Sequence, residues 1–280
     1  MWNHVPQYNF LTIQQEIGGT YYASTCLGET PGSLPYSFVI AFIRLTSNSF
    51  LDQAPPSPSF EAISAYIRLS HKYQMTQLYR RAMDHLKRHY TDNLHDWLEH
   101  GLHAPADDWA LTHAIGVVNL ARLTNETTLL PTALWMCCRL GPELLAGFAY
   151  SDGARETLSA DDLALCWAAR PRLVQATLST FLRIFPAPSP ESCERGPDAD
   201  EGCRRFAQGF VNKLRNKPGI FTLPDPFIGY ISMDGPSGKR LCEGCREAVR
   251  TTSLRLYYEV WKELPALVGV EVPGWGEDQW

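Results

Sequence analysis

Two proline clusters set the limits of what this chain can fold into. Ala54-Pro55-Pro56-Ser57-Pro58-Ser59 and Pro186-Ala187-Pro188-Ser189-Pro190 each lock several backbone angles, remove amide donors and push the preceding residues out of the helical region. No regular helix crosses either cluster. Between them apolar residues recur at helical spacing, so the chain divides into an N-terminal part, a helical middle and a C-terminal part joined through a linker at residues 186–191.

The first part is the least regular. Gly18-Gly19, Gly28, Pro31-Gly32 and Pro35 interrupt every pattern before it reaches element length, which leaves residues 1–41 without a defined element. Phe38–Ile43 is a short apolar run compatible with a strand or a buried helix segment. From Phe60 the pattern is helical: Phe60, Ile63 and Ile67 form one stripe, with Ser57 or Ser59 as the N-cap. Met75, Leu78, Ala82 and Leu86 form a second stripe, beside a solvated face of Gln77, Arg80, Arg81, Asp84, Lys87 and Arg88. The two helices are expected to meet near Lys72–Gln74.

Residues 94–185 read as helical throughout. Asp107 or Asp108 is placed to cap a helix through Ile115, Val118 and Leu123, and Pro131 fits the first turn of the next, through Trp135 to Leu140. Ser159 and Asp162 have capping-box spacing. The helix they open is expected to end or kink before Pro171, with another from Arg172 to Phe185. Beyond the linker come residues 192–217, a Pro/Gly-rich stretch at 218–238, and a helix from Cys242 to about Leu264. Its buried stripe would use Cys245, Val249, Leu256, Val260 and Leu264. Trp275 and Trp280 fall in an acidic, Gly-rich end expected to be mobile, while Tyr257, Tyr258 and Trp261 would pack beneath that tail.

Ser70, Lys72, Tyr73, Gln74, Met75 and Leu78 fall on an A/S-x-K-Y-x-V/I/M-x-x-L pattern between two apolar helices. In this the segment Phe60–Leu86 resembles the last two helices of a BTB/POZ domain. Ser49-Phe50-Leu51 through Pro55-Pro56-Ser57 resembles the approach to those helices in fungal BTB proteins, and Leu241–Cys245 and Val260–Pro265 are similar to a C-terminal signature of that set. The resemblance covers residues 42–98 and 241–268. Residues 1–40 carry neither the F-x-V-H-x-x-x-L nor the S-x-x-F pattern of a complete domain. The N-terminal half of the domain is therefore read as missing or diverged, and homodimerisation, which that half mediates in the family, is left open. The resemblance implies a protein–protein interaction module or adaptor.

The strongest chemical pattern is a set of four cysteines. Cys242-x-x-Cys245 has metal-knuckle spacing, and Cys193 and Cys203 could supply the other pair. Four thiolates would close a tetrahedral structural zinc site with no position for water; the alternative is a group of unrelated buried thiols. Cys137, Cys138 and Cys166 lie in apolar helices and read as core. His85 and His89 are four apart, but Leu86-Lys87-Arg88 between them supplies no catalytic glutamate, so a solvated helix face is expected. Gly235–Gly238 followed by Lys239-Arg240 fails the phosphate-loop spacing, and no G-x-S-x-G or G-x-G-x-x-G motif occurs. Asp107-Asp108 and Asp161-Asp162 suit helix starts better than acid–base catalysis.

With 30 acidic against 25 basic residues and a net charge of −5, the chain carries no global cationic field, so nucleic acid is not expected as its partner. No apolar stretch reaches the roughly 20 residues of a membrane span. Met1–Gln7 lacks a basic segment leading into an apolar run. An intracellular location, cytoplasmic or nuclear, is expected. The expectation from sequence is a mainly α protein: a BTB/POZ-like helical remnant (residues 42–98), a helical region (99–185), a linker (186–191) and a Cys-containing α C-terminal unit (192–280). Its function is read as non-enzymatic protein–protein interaction, with Cys193, Cys203, Cys242 and Cys245 holding one structural zinc. The alternative is a zinc-stabilised nucleic-acid-binding regulator that uses Lys72, Arg80, Arg81, Lys87 and Arg88.

Overall fold

The structure, a computed structural model, describes residues 58–101, 109–184, 193, parts of 202–227 and 240–276. The expectations for residues 1–41, the approach segment before residue 58, Asp107, Asp108, the linker 186–191, the Gly235–Lys239 loop and Trp280 lie outside the described residues. What is described is mainly helical.

Helix α1 (Phe60–Lys72) starts where Ser59 accepts a hydrogen bond from the Ala62 amide at 3.3 Å, relieving one of the first turn's unpaired donors. It buries Phe60, Ile63, Tyr66 and Ile67 and stops where Gln74 takes a positive φ of 57°. Helix α2 (Thr76–His89) then runs back against α1, burying Ala82, Met83 and Leu86 and leaving Arg80, Arg81 and Arg88 exposed. The junction falls at the Lys72–Gln74 turn that the spacing indicates. The expectation of a solvated His85/His89 face is corrected: both rings are half-buried, with the Trp109 indole 6.0 Å from His85 and 4.8 Å from His89. Trp109 is held there by its own Nε1–H, which donates to the Pro58 carbonyl at 3.1 Å.

Asn93 caps the short helix α3 (Leu94–Asp96), which widens into a π-helical turn at Trp97–Gly101. Helix α4 (His113–Thr124) begins at His113, not directly after the Asp107/Asp108 pair, and ends at Asn125 in the left-handed region. Gly116 lets α4 approach α1, since a Cβ there would come within 2.5 Å of the Phe60 ring. Helix α5 (Leu130–Cys138) has Pro131 in its first turn and every residue buried, which places it at the centre of the molecule. Helix α6 (Glu143–Ala146) follows.

A small hairpin breaks the region read as wholly helical. Strands β1 (Phe148–Ala149) and β2 (Arg155–Glu156) pair antiparallel, Phe148 opposite Glu156. The turn between them is built by Asp152, whose side chain accepts the Ala154 amide at 2.9 Å, and by Gly153 at φ 84°.

Helix α7 (Ala160–Ile184) opens on the Ser159/Asp162 box: the Asp162 amide donates to Ser159 Oγ at 3.1 Å, and Ser159 Oγ bonds the carboxylate at 2.9 Å. It does not end before Pro171 but runs through it. Packing outweighs the cost of the proline, because Cys166 and Ala169 before it and Leu173 and Thr177 after it are all buried on one continuous face. Arg172 donates from Nε to the Ala168 carbonyl at 3.2 Å and from Nη1 to the Ala266 carbonyl at 2.9 Å, supplying donors beside the missing amide. Helix α8 (Glu243–Val268) packs against both α7 and α5. Its buried stripe uses Trp261 and Val268 beside Cys245, Leu256 and Leu264; Val249 and Val260 are only half-buried.

One apolar core joins these helices. Trp97, Trp135 and Trp261 are fully buried, and Phe227 inserts between Trp135 and Trp261 at 4.9 and 5.6 Å. Two of the three indoles find partners: Trp135 Nε1–H donates to the Pro224 carbonyl at 2.9 Å and Trp261 Nε1–H to the Asp92 carbonyl at 3.0 Å, whereas the buried Trp97 Nε1 has no hydrogen-bond partner among the described residues. Trp275, placed by sequence in a mobile end, stacks on Trp261 at 5.3 Å and bonds its carbonyl at 2.7 Å. Among the described residues no helix is long and apolar enough to cross a membrane.

Candidate metal centre

The N-terminus of α8 starts the site. Cys242 is its N-cap residue, in extended geometry, and Cys245 is the third residue of the helix. N-cap and N3 side chains lie together over the first turn, the same geometry that lets a capping box close. A C-x-x-C pair beginning at a helix N-cap therefore presents two sulfurs side by side, where the positive end of the helix dipole favours thiolate.

The other two sulfurs arrive from far along the chain. Cys203, in a short helical stretch at 202–206, accepts the Cys242 backbone N–H on Sγ at 3.4 Å. Cys193 Sγ lies 3.9 Å from Cys242 Sγ. All four ligand atoms fall within 4.8 Å of one another, and all four residues are buried. Together with Leu241 they form a small cluster of their own, flanked by half-buried Phe206 and Val249 and separate from the main core. The sulfurs are free thiols, too far apart for a bond of about 2.05 Å.

Charge chemistry says what this cluster lacks. Burial pushes the Cys203 and Cys245 thiols above their ordinary value, because a lone thiolate there would be poorly solvated. A cation between the sulfurs reverses that preference and releases the protons. Beside the cluster Arg240 lies over the Phe206 ring at 5.1 Å, and Arg246 is paired with Glu243. The arrangement can hold one four-coordinate soft metal ion. It also leaves no protein donor for a fifth position among the described residues.

The structure thus brings together Cys193, Cys203, Cys242 and Cys245 as one group. Cys137, Cys138 and Cys166 are core residues as their apolar helices indicate, and they meet each other: Cys138 Sγ lies 3.6 Å from the Cys166 carbonyl. Burial raises the Cys137 thiol, and hydrogen bonding toward Cys166 raises Cys138. On α2, Lys87 is paired with Glu126 at 2.5 Å.

One polar group has no counterpart in the sequence reading. Glu156 accepts from Arg68 at 2.6 Å, from Asn119 Nδ2 at 2.8 Å and from the Tyr150 hydroxyl, and so ties the hairpin to α1 and α4. Burial pushes the Tyr150 hydroxyl up to about 12, keeping it a donor. Its members lie up to 88 positions apart, and no local spacing announces them. No family model matches the chain, and neither does any curated protein or solved structure.

Proposed function

We propose that this chain is a non-enzymatic protein–protein interaction module, of BTB/POZ type over residues 42–98, whose C-terminal unit is organised by one structural zinc ion. The observation that carries the reading is the closed set of four buried sulfurs. For a tetrahedral ion with Zn–S bonds of about 2.3 Å, the edge of the sulfur tetrahedron is ~3.8 Å. The Cys193–Cys242 separation of 3.9 Å fits that edge. Four thiolates fill the coordination sphere, so zinc at this place would organise the fold and leave no open position for substrate or water. The Cys242 amide on Cys203 Sγ is the kind of outer-shell bond that orients a ligand sulfur.

Support for an interaction role comes from the outer face of α7. Trp167 is 82% exposed and Leu182 59% exposed there, and Leu145 in α6 is 73% exposed. Large apolar side chains on a surface carry most weight where they meet another protein. A second reading, a zinc-stabilised nucleic-acid-binding regulator, draws on exposed Arg80, Arg81 and Arg88. It would require affinity for DNA or RNA that falls steeply with salt.

The test is metal analysis of the purified full chain followed by reconstitution with Co²⁺. One zinc per chain, and a Co²⁺ spectrum with the intense bands of a tetrahedral tetrathiolate, is the expected result. A weak, six-coordinate spectrum would show solvent at the metal and move the chain toward a catalytic reading. Absence of bound metal would remove the centre altogether.

A further inference from the structure

Resting on the zinc reading above, we infer that the centre is a peroxide-sensitive switch in which Cys193 and Cys242 are the pair that oxidises to a disulfide and releases the metal. The four sulfurs are not equivalent. Cys193 and Cys242 each keep 7% of their surface open, whereas Cys203 is fully buried and Cys245 is 1% exposed. By residue exposure the Cys193–Cys242 edge is the more open side of the cluster. Cys203 is further restrained because its sulfur already accepts a backbone N–H, which draws electron density from it.

The same two sulfurs also stand close enough to couple. They are 3.9 Å apart, so bond formation requires closing by roughly 2 Å to a disulfide length of about 2.05 Å. Cys242 sits at the N-cap of α8, where the end of the helix dipole stabilises the thiolate that attacks. The alternative partner, Cys245, is 1% exposed, less open than Cys193 at 7%.

The chemistry balances with hydrogen peroxide as the oxidant. One thiolate of the pair attacks a peroxide oxygen; an S–O bond forms, the O–O bond breaks, and hydroxide leaves. The second thiolate attacks the sulfenic sulfur, the S–S bond forms, and a second hydroxide leaves. Two protons from solvent convert the hydroxides to water. The two sulfurs together lose two electrons and the peroxide gains two. With two of four ligands consumed, Zn²⁺ is released, and a dithiol reductant with added Zn²⁺ restores the centre.

The experiment uses the zinc-loaded full chain. Zinc is quantified first, hydrogen peroxide is then added in steps, and released zinc is read with a chromogenic chelator while disulfides are mapped by peptide mass spectrometry. One zinc released per disulfide formed, mapped to Cys193–Cys242 and reversed by dithiothreitol plus Zn²⁺, is the expected result. Zinc retained at peroxide doses that already oxidise methionine would overturn the switch while leaving the structural zinc intact. Release accompanied by a Cys242–Cys245 or Cys203-containing disulfide would overturn the assigned pair. A chain that carries no zinc before peroxide is added would overturn the metal reading and the switch with it.

Discussion

The helical core and the cysteine unit solve the same problem with different means. The core draws on many side chains: Trp97, Trp135, Trp261, Phe60 and Phe227 are all fully buried, and the Trp135 and Trp261 indole donors are matched by carbonyls from distant segments. Such a body is held by burial and needs no ligand. Among the described residues the cysteine cluster has five buried members, four of them cysteines and the fifth Leu241. A metal ion held by the four sulfurs would add to so small an apolar cluster what packing among these residues does not. Helix α8 belongs to both bodies. Its first turn carries Cys242 and Cys245, and its last half places Trp261, Leu264 and Val268 in the core.

The largest expected effect tests that division. Cys242→Ser with Cys245→Ser should abolish metal binding, which in small zinc domains is worth on the order of 10 kcal/mol. Calorimetry should show loss of one transition belonging to the cysteine unit, with the core transition nearly unmoved. A single transition that shifts as a whole would mean the two regions melt together. Next in size is Trp261→Ala, which removes the side chain joining α8 to the centre and should cost roughly 3–5 kcal/mol. Denaturant unfolding would show it in the core midpoint, and bound metal should be unchanged.

The smallest effect concerns Asp225, which is paired with Arg139 at 3.3 Å and accepts the Phe227 amide at 3.3 Å. Burial outweighs both partners and holds its carboxyl above the ordinary 3.8. The folded chain then binds that proton more tightly than the unfolded chain, so stability rises as pH falls through the folded value toward 3.8 and is lost again as pH rises. Asp225→Asn keeps an acceptor for Phe227 and removes the charge. It should leave neutral-pH stability equal or raised by about 1 kcal/mol or less and flatten this part of the pH profile. Urea titrations at several pH values would show it, and a marked loss of stability at neutral pH would mean the Arg139 pair dominates.

Local features were legible because their causes are local. Ser59, the Gln74 turn, Pro131 and the Ser159/Asp162 box each act within a few residues, and each marks an element end where its chemistry indicates. The hairpin at 148–156 is equally local, marked by Ser151-Asp152-Gly153, but apolar residues on both sides continue the helical pattern across it. Pro171 shows the opposite error, where a true local preference lost to packing. The burial of Cys166, Ala169, Leu173 and Thr177 along one face holds α7 continuous across it. His85 and His89 read as solvated because Trp109, which covers them, is twenty and more positions away.

By itself, the sequence determined the helical class, the caps and the C-x-x-C pair at the start of α8, since periodicity, capping and knuckle spacing act over a few residues. Only the tertiary structure decided that Cys193 and Cys203 join that pair, that Trp261 and Phe227 share the core with Trp135, and that Glu156 gathers Arg68, Asn119 and Tyr150. Those contacts close long stretches of chain, and their energy depends on which surfaces are left to be covered once the helices have formed.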